Sequence, residues 1–250
     1  MKQIDKDRQA ALREILLDVA NRRFDGEAYD FLHFVELQEM TFGAAVAQMW
    51  DIVLDMQAEI MVLSRAAEGV YPEGSYLDGV AKFAARAHAG VLQYRKYTNE
   101  PYMVHPLAVA RRVAAVTDDQ EVIGASLLHD VMEDARITKH RLRQCYGERV
   151  AGMVEEVSHV TTPGERKRSE RMVIERAHIA KARPESKTIK LCDVLENGPS
   201  IIVHDPGFAQ VYMGEVRKLL EVLKDGDPRV YTEAQQFVAE YWDGSRKQVK

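Results

Sequence analysis

Cysteine is nearly absent from the chain: Cys145 and Cys192 are the two in 250 residues. They lack metal-type spacing and are too few to staple a domain of this size, so a disulfide framework is excluded and both read as buried thiols. Proline and glycine are scarce, at 8 and 15 residues, which excludes collagen-like and low-complexity chains and leaves long stretches uninterrupted. No uncharged apolar run approaches the roughly 18 residues of a membrane span, and the charged start Met1–Asp7 has no apolar stretch for a signal peptide. A cytoplasmic protein is expected. An excess of positive charge is missing too. The net charge is −5, and residues 1–75 hold 7 Lys and Arg against 14 Asp and Glu, leaving the remainder nearly balanced. A nucleic-acid binder would carry a strongly basic face, so nucleic-acid partners are disfavoured.

What is present is helical patterning in a composition close to the globular average, 46% hydrophobic and 29% charged. Leu12, Ile15, Leu16 and Val19, and later Ala44, Met49, Ile52, Val53, Met56 and Ile60, recur mostly at spacings of three and four, while long alternating patterns are absent. The fold class is therefore all-α. Residues 69–75 supply turn residues, and Ser75 is an N-cap for a helix starting at Tyr76. The expected division is an N-terminal helical accessory domain over 1–72 and a second domain over 73–250. Helices are predicted at 76–90, 105–117, 119–134, 138–146, 148–160, 168–182, 186–197, 206–224 and 231–242. Residues 90–101, with Tyr94-Arg95-Lys96-Tyr97 before Thr98-Asn99-Glu100-Pro101, suit a short hairpin or loop, where a helical scaffold commonly carries binding residues.

The stretch Ala125–Asp134 places His129, Asp130, Glu133 and Asp134 in an apolar segment. On a helix, His129 stacks with Glu133 and Asp130 with Asp134, so all four share one broad sector. A cation makes that clustering favourable; an amphipathic helix with a solvated polar stripe is the alternative. His105 precedes Pro106, which places it at a helix start, and Asp193 interrupts the apolar face formed by Ile189, Leu191, Cys192 and Leu195. Alone, these two read as a cap and a satisfied core polar group. Together, two imidazoles and two carboxylates suit Mn²⁺, Fe²⁺ or Zn²⁺ better than Ca²⁺.

The ordered segments Ala84–Gly90, Arg95-Lys96, Glu100–Leu107, Leu127–Asp134 and Ile189–Asp193 with Asn197 resemble the HD-domain phosphohydrolases. Within them the resemblance is to the alarmone-hydrolase branch of the RelA/SpoT superfamily, including its small single-domain hydrolases, and it runs from about Tyr76 to about Asp225. It implies an HD-domain helical bundle and a metal site of His105, His129, Asp130 and Asp193, typically for Mn²⁺. It also implies that Glu133 and Asp134 set up hydrolysis. The reaction implied is removal of the 3′-pyrophosphate of guanosine tetra- or pentaphosphate, giving GDP or GTP. Arg95 and Lys96 match the family's basic pair at the nucleoside pocket, Asn197 its nucleotide-contacting Asn, and Lys190 is a phosphate-contact candidate. His88 matches a helix-end histidine and is expected to hydrogen-bond rather than bind metal. The basic stretch Gly164–Arg171 is expected to be mostly solvated, with one or two side chains available to a polyphosphate.

Two departures lie near the pocket. Val194 stands where the family usually has Arg or Lys, and Val91-Leu92 is inserted before Gln93. Alternatives are therefore an HD phosphohydrolase for another nucleotide, such as NADPH or a deoxynucleotide, or a nucleotide-sensing module without catalysis. Residues 1–72 match nothing in that family and are expected to serve assembly, as a homo-oligomer contact or a surface for a protein partner.

Overall fold

The computed structural model describes Met56 and residues 58–162 and 164–248. The amphipathic segments expected before residue 55, and with them most of the 1–72 domain, lie outside the described residues. Contacts divide the chain into Met1–Leu63 and Ser64–Lys250. The described part of the first unit is helical. In the second unit, a 3-10 turn at Arg65–Ala67 leads into α1 (Tyr76–Ala89), α2 (Val104–Ala114), α3 (Gln120–Leu127) and α4 (Lys139–Val157). It continues through α5 (Arg168–Ile179), α6 (Pro184–His204), α7 (Pro206–Leu220) and α8 (Pro228–Gln248). Among the described residues there is no strand, and the fold is all-α. The segment after α1 closes as a narrow hairpin on the single bridge Tyr94–Pro101, with the Arg95 N–H donating to the Glu100 carbonyl at 2.8 Å.

Local chemistry sets most boundaries. Ser75 caps α1 by accepting from the Asp78 N–H, and Asp119 caps α3 by accepting from Glu121 and Val122. Gly147, at φ 85°, kinks α4, so the two helices expected on either side of it run on as one bent element. Helix α6 runs past the Gly198-Pro199 pair, where a stop is expected, as far as His204. A Cβ at Gly198 would meet the Phe237 ring at 2.5 Å, so close packing of α8 on α6 needs glycine there and outweighs its poor helix propensity.

The expected helix at 119–134 is shorter. It ends at Leu127, and residues 128–134 form successive tight turns, with Leu128 and Val131 donating three residues back. Leu127, Leu128 and Val131 are wholly buried, each worth about 1.5–3 kcal/mol, so the segment keeps an apolar face although its backbone is no longer helical. His105 likewise is not a cap but lies in the first turn of α2, which begins at Val104 because Val104 and His105 already donate to Pro101 and Tyr102. Of the two thiols expected to be buried, Cys192 is buried and Cys145 is exposed, on the solvent side of α4.

Helix α6 is the centre, packing against α2, α4, α7 and α8, while α3 packs against α1, α2 and α4. Ile189, Leu191 and Cys192 are fully buried along α6. The next residue, Asp193, thus carries a carboxylate to the edge of the core.

Candidate metal centre and adjoining cavity

Three elements deliver four polar side chains to one point. The first turn of α2 brings His105, the turns after α3 bring His129 and Asp130, and the middle of α6 brings Asp193. His105 Nε2 lies 3.1 Å from Asp193 Oδ1 and 3.6 Å from Asp130 Oδ2. His129 Nε2 lies 3.0 Å from Asp130 Oδ2 and 3.8 Å from Asp193 Oδ1. The two Nε2 atoms are 3.2 Å apart. Donors around one ion at about 2.0–2.2 Å stand roughly 2.9–3.6 Å from their neighbours, so four of the five separations fit a coordination shell and His129–Asp193, at 3.8 Å, is slightly wide.

The donor chemistry agrees with that spacing. His129 Nδ1 is 2.7 Å from the Ser126 carbonyl, which can only accept; Nδ1 therefore carries the proton and Nε2 presents a lone pair inward. Burial pushes the carboxyls of Asp130 and Asp193 upward, but the imidazoles outweigh it at Asp130, and Lys190 with the imidazoles outweighs it at Asp193, so both are held below the usual range. Burial opposes charge on His129 as well, yet Asp130 and Asp193 draw its affinity for a proton well above the ordinary value. The site calls for positive charge, which a divalent ion supplies. His105, His129 and Asp130 form a group able to hold a metal, and Asp193 Oδ1 lies 3.1 Å from His105 Nε2 beside it.

Around it lies a layer of hydrogen bonds. The Tyr102 hydroxyl donates to Asp130 Oδ2 at 2.7 Å, and burial, reinforced by Asp130, keeps that phenol protonated. His88 is buried and 2.7 Å from Gln93 Oε1, so its Nδ1–H donates there, and Gln93 Nε2 donates in turn to Asp134 Oδ2 at 2.8 Å. The inserted Val91-Leu92 forms the turn, with Leu92 at φ 49°, that returns Gln93 to His88. Burial and the Asp130 charge raise the Asp134 carboxyl. Glu133, beside it in sequence, takes a different partner: its two oxygens accept from the His159 N–H and ring Nδ1, both at 2.8 Å.

Three of the four expected substrate residues meet at Asp193. Lys190 Nζ donates to Oδ2 at 2.9 Å and Asn197 Nδ2 to Oδ1 at 2.6 Å, while Arg95 donates to Asn197 Oδ1 through both terminal nitrogens at 3.1 Å. Burial works against the Lys190 charge, but Asp193 and Glu133 hold it protonated. Lys96 is not part of that cluster: its side chain is 74% exposed and pairs with Asp205 at 3.7 Å. A cavity of about 550 Å³ opens on Asp193, Lys190 and Asn197, with Arg168, Arg171 and Tyr212 in its walls. Arg168 is clamped by Glu215 at 2.7–2.8 Å; the basic stretch thus places two arginines at the cavity. Val194, at the departing position, is buried in the same wall.

Tyr102, Gln93 and His159 were not singled out by sequence reasoning. Tyr102 and Gln93 stand inside or beside quoted motifs, so their neighbourhood was the available signal. His159 follows α4, 26 residues from Glu133, and neither period nor spacing marks it.

Residues 81–195 match the HD domain family, a span that holds His105, His129, Asp130 and Asp193. Over 79 residues the chain is 40% identical to a guanosine-3′,5′-bis(diphosphate) 3′-pyrophosphohydrolase of Aquifex aeolicus, covering 32% of this chain and 11% of that protein. Over 75 residues it is 43% identical to the bifunctional (p)ppGpp synthase/hydrolase SpoT of Escherichia coli, covering 30% of this chain and 10% of that one. The chain thus matches about a tenth of the length of these curated relatives. A solved structure of a metazoan ortholog of SpoT that hydrolyzes ppGpp superposes with a TM-score of 0.60 at 25% identity, over 68% of this chain and 97% of that one.

Proposed function

We propose that this chain, which carries an HD domain and resembles guanosine polyphosphate hydrolases across it, is a metal-dependent hydrolase that removes the 3′-pyrophosphate of guanosine 3′,5′-bis(diphosphate) or its pentaphosphate. The observation that carries this reading is the convergence of His105, His129, Asp130 and Asp193 at 3.0–3.8 Å, with Asp193 also lining a cavity that has Lys190 and two arginines in its walls. Mn²⁺ is the ion proposed for this nitrogen and oxygen donor set. Once bound, it supplies Lewis-acid polarisation of a phosphoryl oxygen and acidifies water. His105, His129, Asp130 and Asp193 hold it.

The remaining work falls to side chains. Glu133 orients the attacking water and accepts its proton. The water oxygen bonds to the phosphorus attached to the ribose 3′ oxygen, that P–O bond breaks, and the 3′ oxygen leaves with a proton. Asp134, held by Gln93, completes the acidic pair. Lys190, with Arg168 and Arg171, meets phosphate oxygens, and Arg95 with Asn197 meets the nucleoside, its guanidinium available for stacking on a base. Lys96 is assigned to the outer rim. Residues 1–72 are assigned to assembly with a second copy or a protein partner. The setting assigned is the cytoplasm; among the described residues no helix is long and apolar enough to cross a membrane.

A nucleotide screen with Mn²⁺ tests the reading. GDP and pyrophosphate from guanosine 3′,5′-bis(diphosphate) are expected. Turnover of NADPH or a deoxynucleotide in its place would displace the substrate assignment, and no turnover by metal-loaded protein would leave a sensor.

A further inference from the structure

Glu133 stands on the tight turns after α3 rather than on a helix, so no regular backbone fixes its long side chain. One residue holds both of its oxygens. The backbone N–H of His159 donates to Oε1 and the ring Nδ1 lies against Oε2, each at 2.8 Å. Two donors from one residue fix the carboxylate plane, and each oxygen keeps a further lone pair for a water. His159 forms part of the wall of the cavity that opens on Asp193 and Lys190, and it follows directly on Ser158, whose hydroxyl is anchored at 2.7 Å to the Val154 carbonyl at the end of α4. The anchor therefore sits directly after the end of α4, and the side chain it holds is on a turn.

We propose that His159 is the positioning residue for Glu133, aiming its carboxylate at the water that attacks the phosphorus. This rests on the proposed hydrolysis with Glu133 as base and extends it to a residue in the cavity wall. The groups facing His159 are Glu133 from the turns, Glu175 from α5 and Lys190 from α6. The Glu133 bond raises the imidazole's affinity for a proton, burial and the Lys190 ammonium oppose it, and Glu175 adds to the rise. The net direction is upward, so the ring keeps its positive charge beside Glu133 to a higher pH than a free imidazole would.

The test uses the full chain with Mn²⁺ and guanosine 3′,5′-bis(diphosphate). His159→Ala keeps the backbone donor but loses the ring; it should lower kcat by about 10- to 100-fold, the usual cost of losing an orienting partner, with KM and bound metal unchanged. His159→Asn returns an N–H donor at the same branch position and should recover to within roughly threefold of wild type, because the lost element is one hydrogen bond. Recovery of kcat in His159→Asn at unchanged KM and metal content is a readout that a purely structural role would not produce. In a Glu133→Gln background, His159→Ala should add little. An NMR titration of the His159 ring should fall toward the ordinary imidazole range in Glu133→Gln. Wild-type kcat in His159→Ala beside a dead Glu133→Gln would overturn the positioning role alone, as would an unchanged ring titration. Full turnover in Glu133→Gln would remove the base assignment itself, and the role of His159 with it.

Discussion

The buried cluster of His105, His129, Asp130 and Asp193 and the hairpin that carries Arg95 and Lys96 are held by different means. His105 and His129 are buried, come from separate elements, and are oriented by backbone groups and core packing. Arg95 and Lys96 stand on a hairpin closed by one bridge; Arg95 is tied into the site through Asn197, and Lys96 faces outward to Asp205. Under the proposed function, the core would fix the chemistry and the short hairpin would meet the substrate. Substitutions in the two regions should accordingly differ in kind: losses of metal and kcat in the first, changes of KM in the second.

The largest effect should come from the cluster. His129→Ala or Asp193→Ala should take the bound divalent ion from about one per chain to near none, as one of four donors is lost, and turnover to background; metal analysis after mild purification checks this. Retained metal in both variants would break the proposed ligand set. Next is Glu133→Gln, expected to cut kcat by about 10²- to 10⁴-fold with metal content intact, measured at saturating nucleotide.

Tyr102→Phe sharpens the comparison from within the buried region. It deletes the 2.7 Å bond to Asp130 while keeping the ring that packs against His88 and His105. Metal affinity should weaken by about 10- to 100-fold, read by titrating the metal-free protein, while saturating Mn²⁺ restores turnover. Smallest are the rim changes. Arg95→Ala should raise KM by about tenfold, a single charged contact's worth of 1–2 kcal/mol, with kcat near wild type. Lys96→Ala, removing an exposed pair, should alter stability by less than about 0.5 kcal/mol and KM by less than Arg95→Ala does. Equal effects at Arg95 and Lys96 would erase the distinction drawn between the inner and outer basic residues.

The same contrast explains what could be read from the residues alone. Amphipathic periods and caps such as Ser75 placed most helices, since a one-sided apolar stripe follows directly from burying one face. The His129-Asp130 stretch looked helical because it is apolar, yet the backbone turns tightly there. That turn separates Glu133 and Asp134, which a helix would keep in one sector, and gives them different partners in His159 and Gln93. Long-range partners of this kind leave no period. The continuation of α6 through Gly198-Pro199 was equally hidden, because the close approach of Phe237 to Gly198 comes from another helix.

The central claim is that water attacks phosphorus on the 3′ arm at this cluster. Hydrolysis of guanosine 3′,5′-bis(diphosphate) in ¹⁸O-labelled water with Mn²⁺, read by mass spectrometry, addresses it directly. One labelled oxygen in the released pyrophosphate, unlabelled GDP, and loss of both products in Asp193→Ala are the predicted result. Label in orthophosphate, label in the nucleoside, or product formation that survives loss of the metal would contradict it.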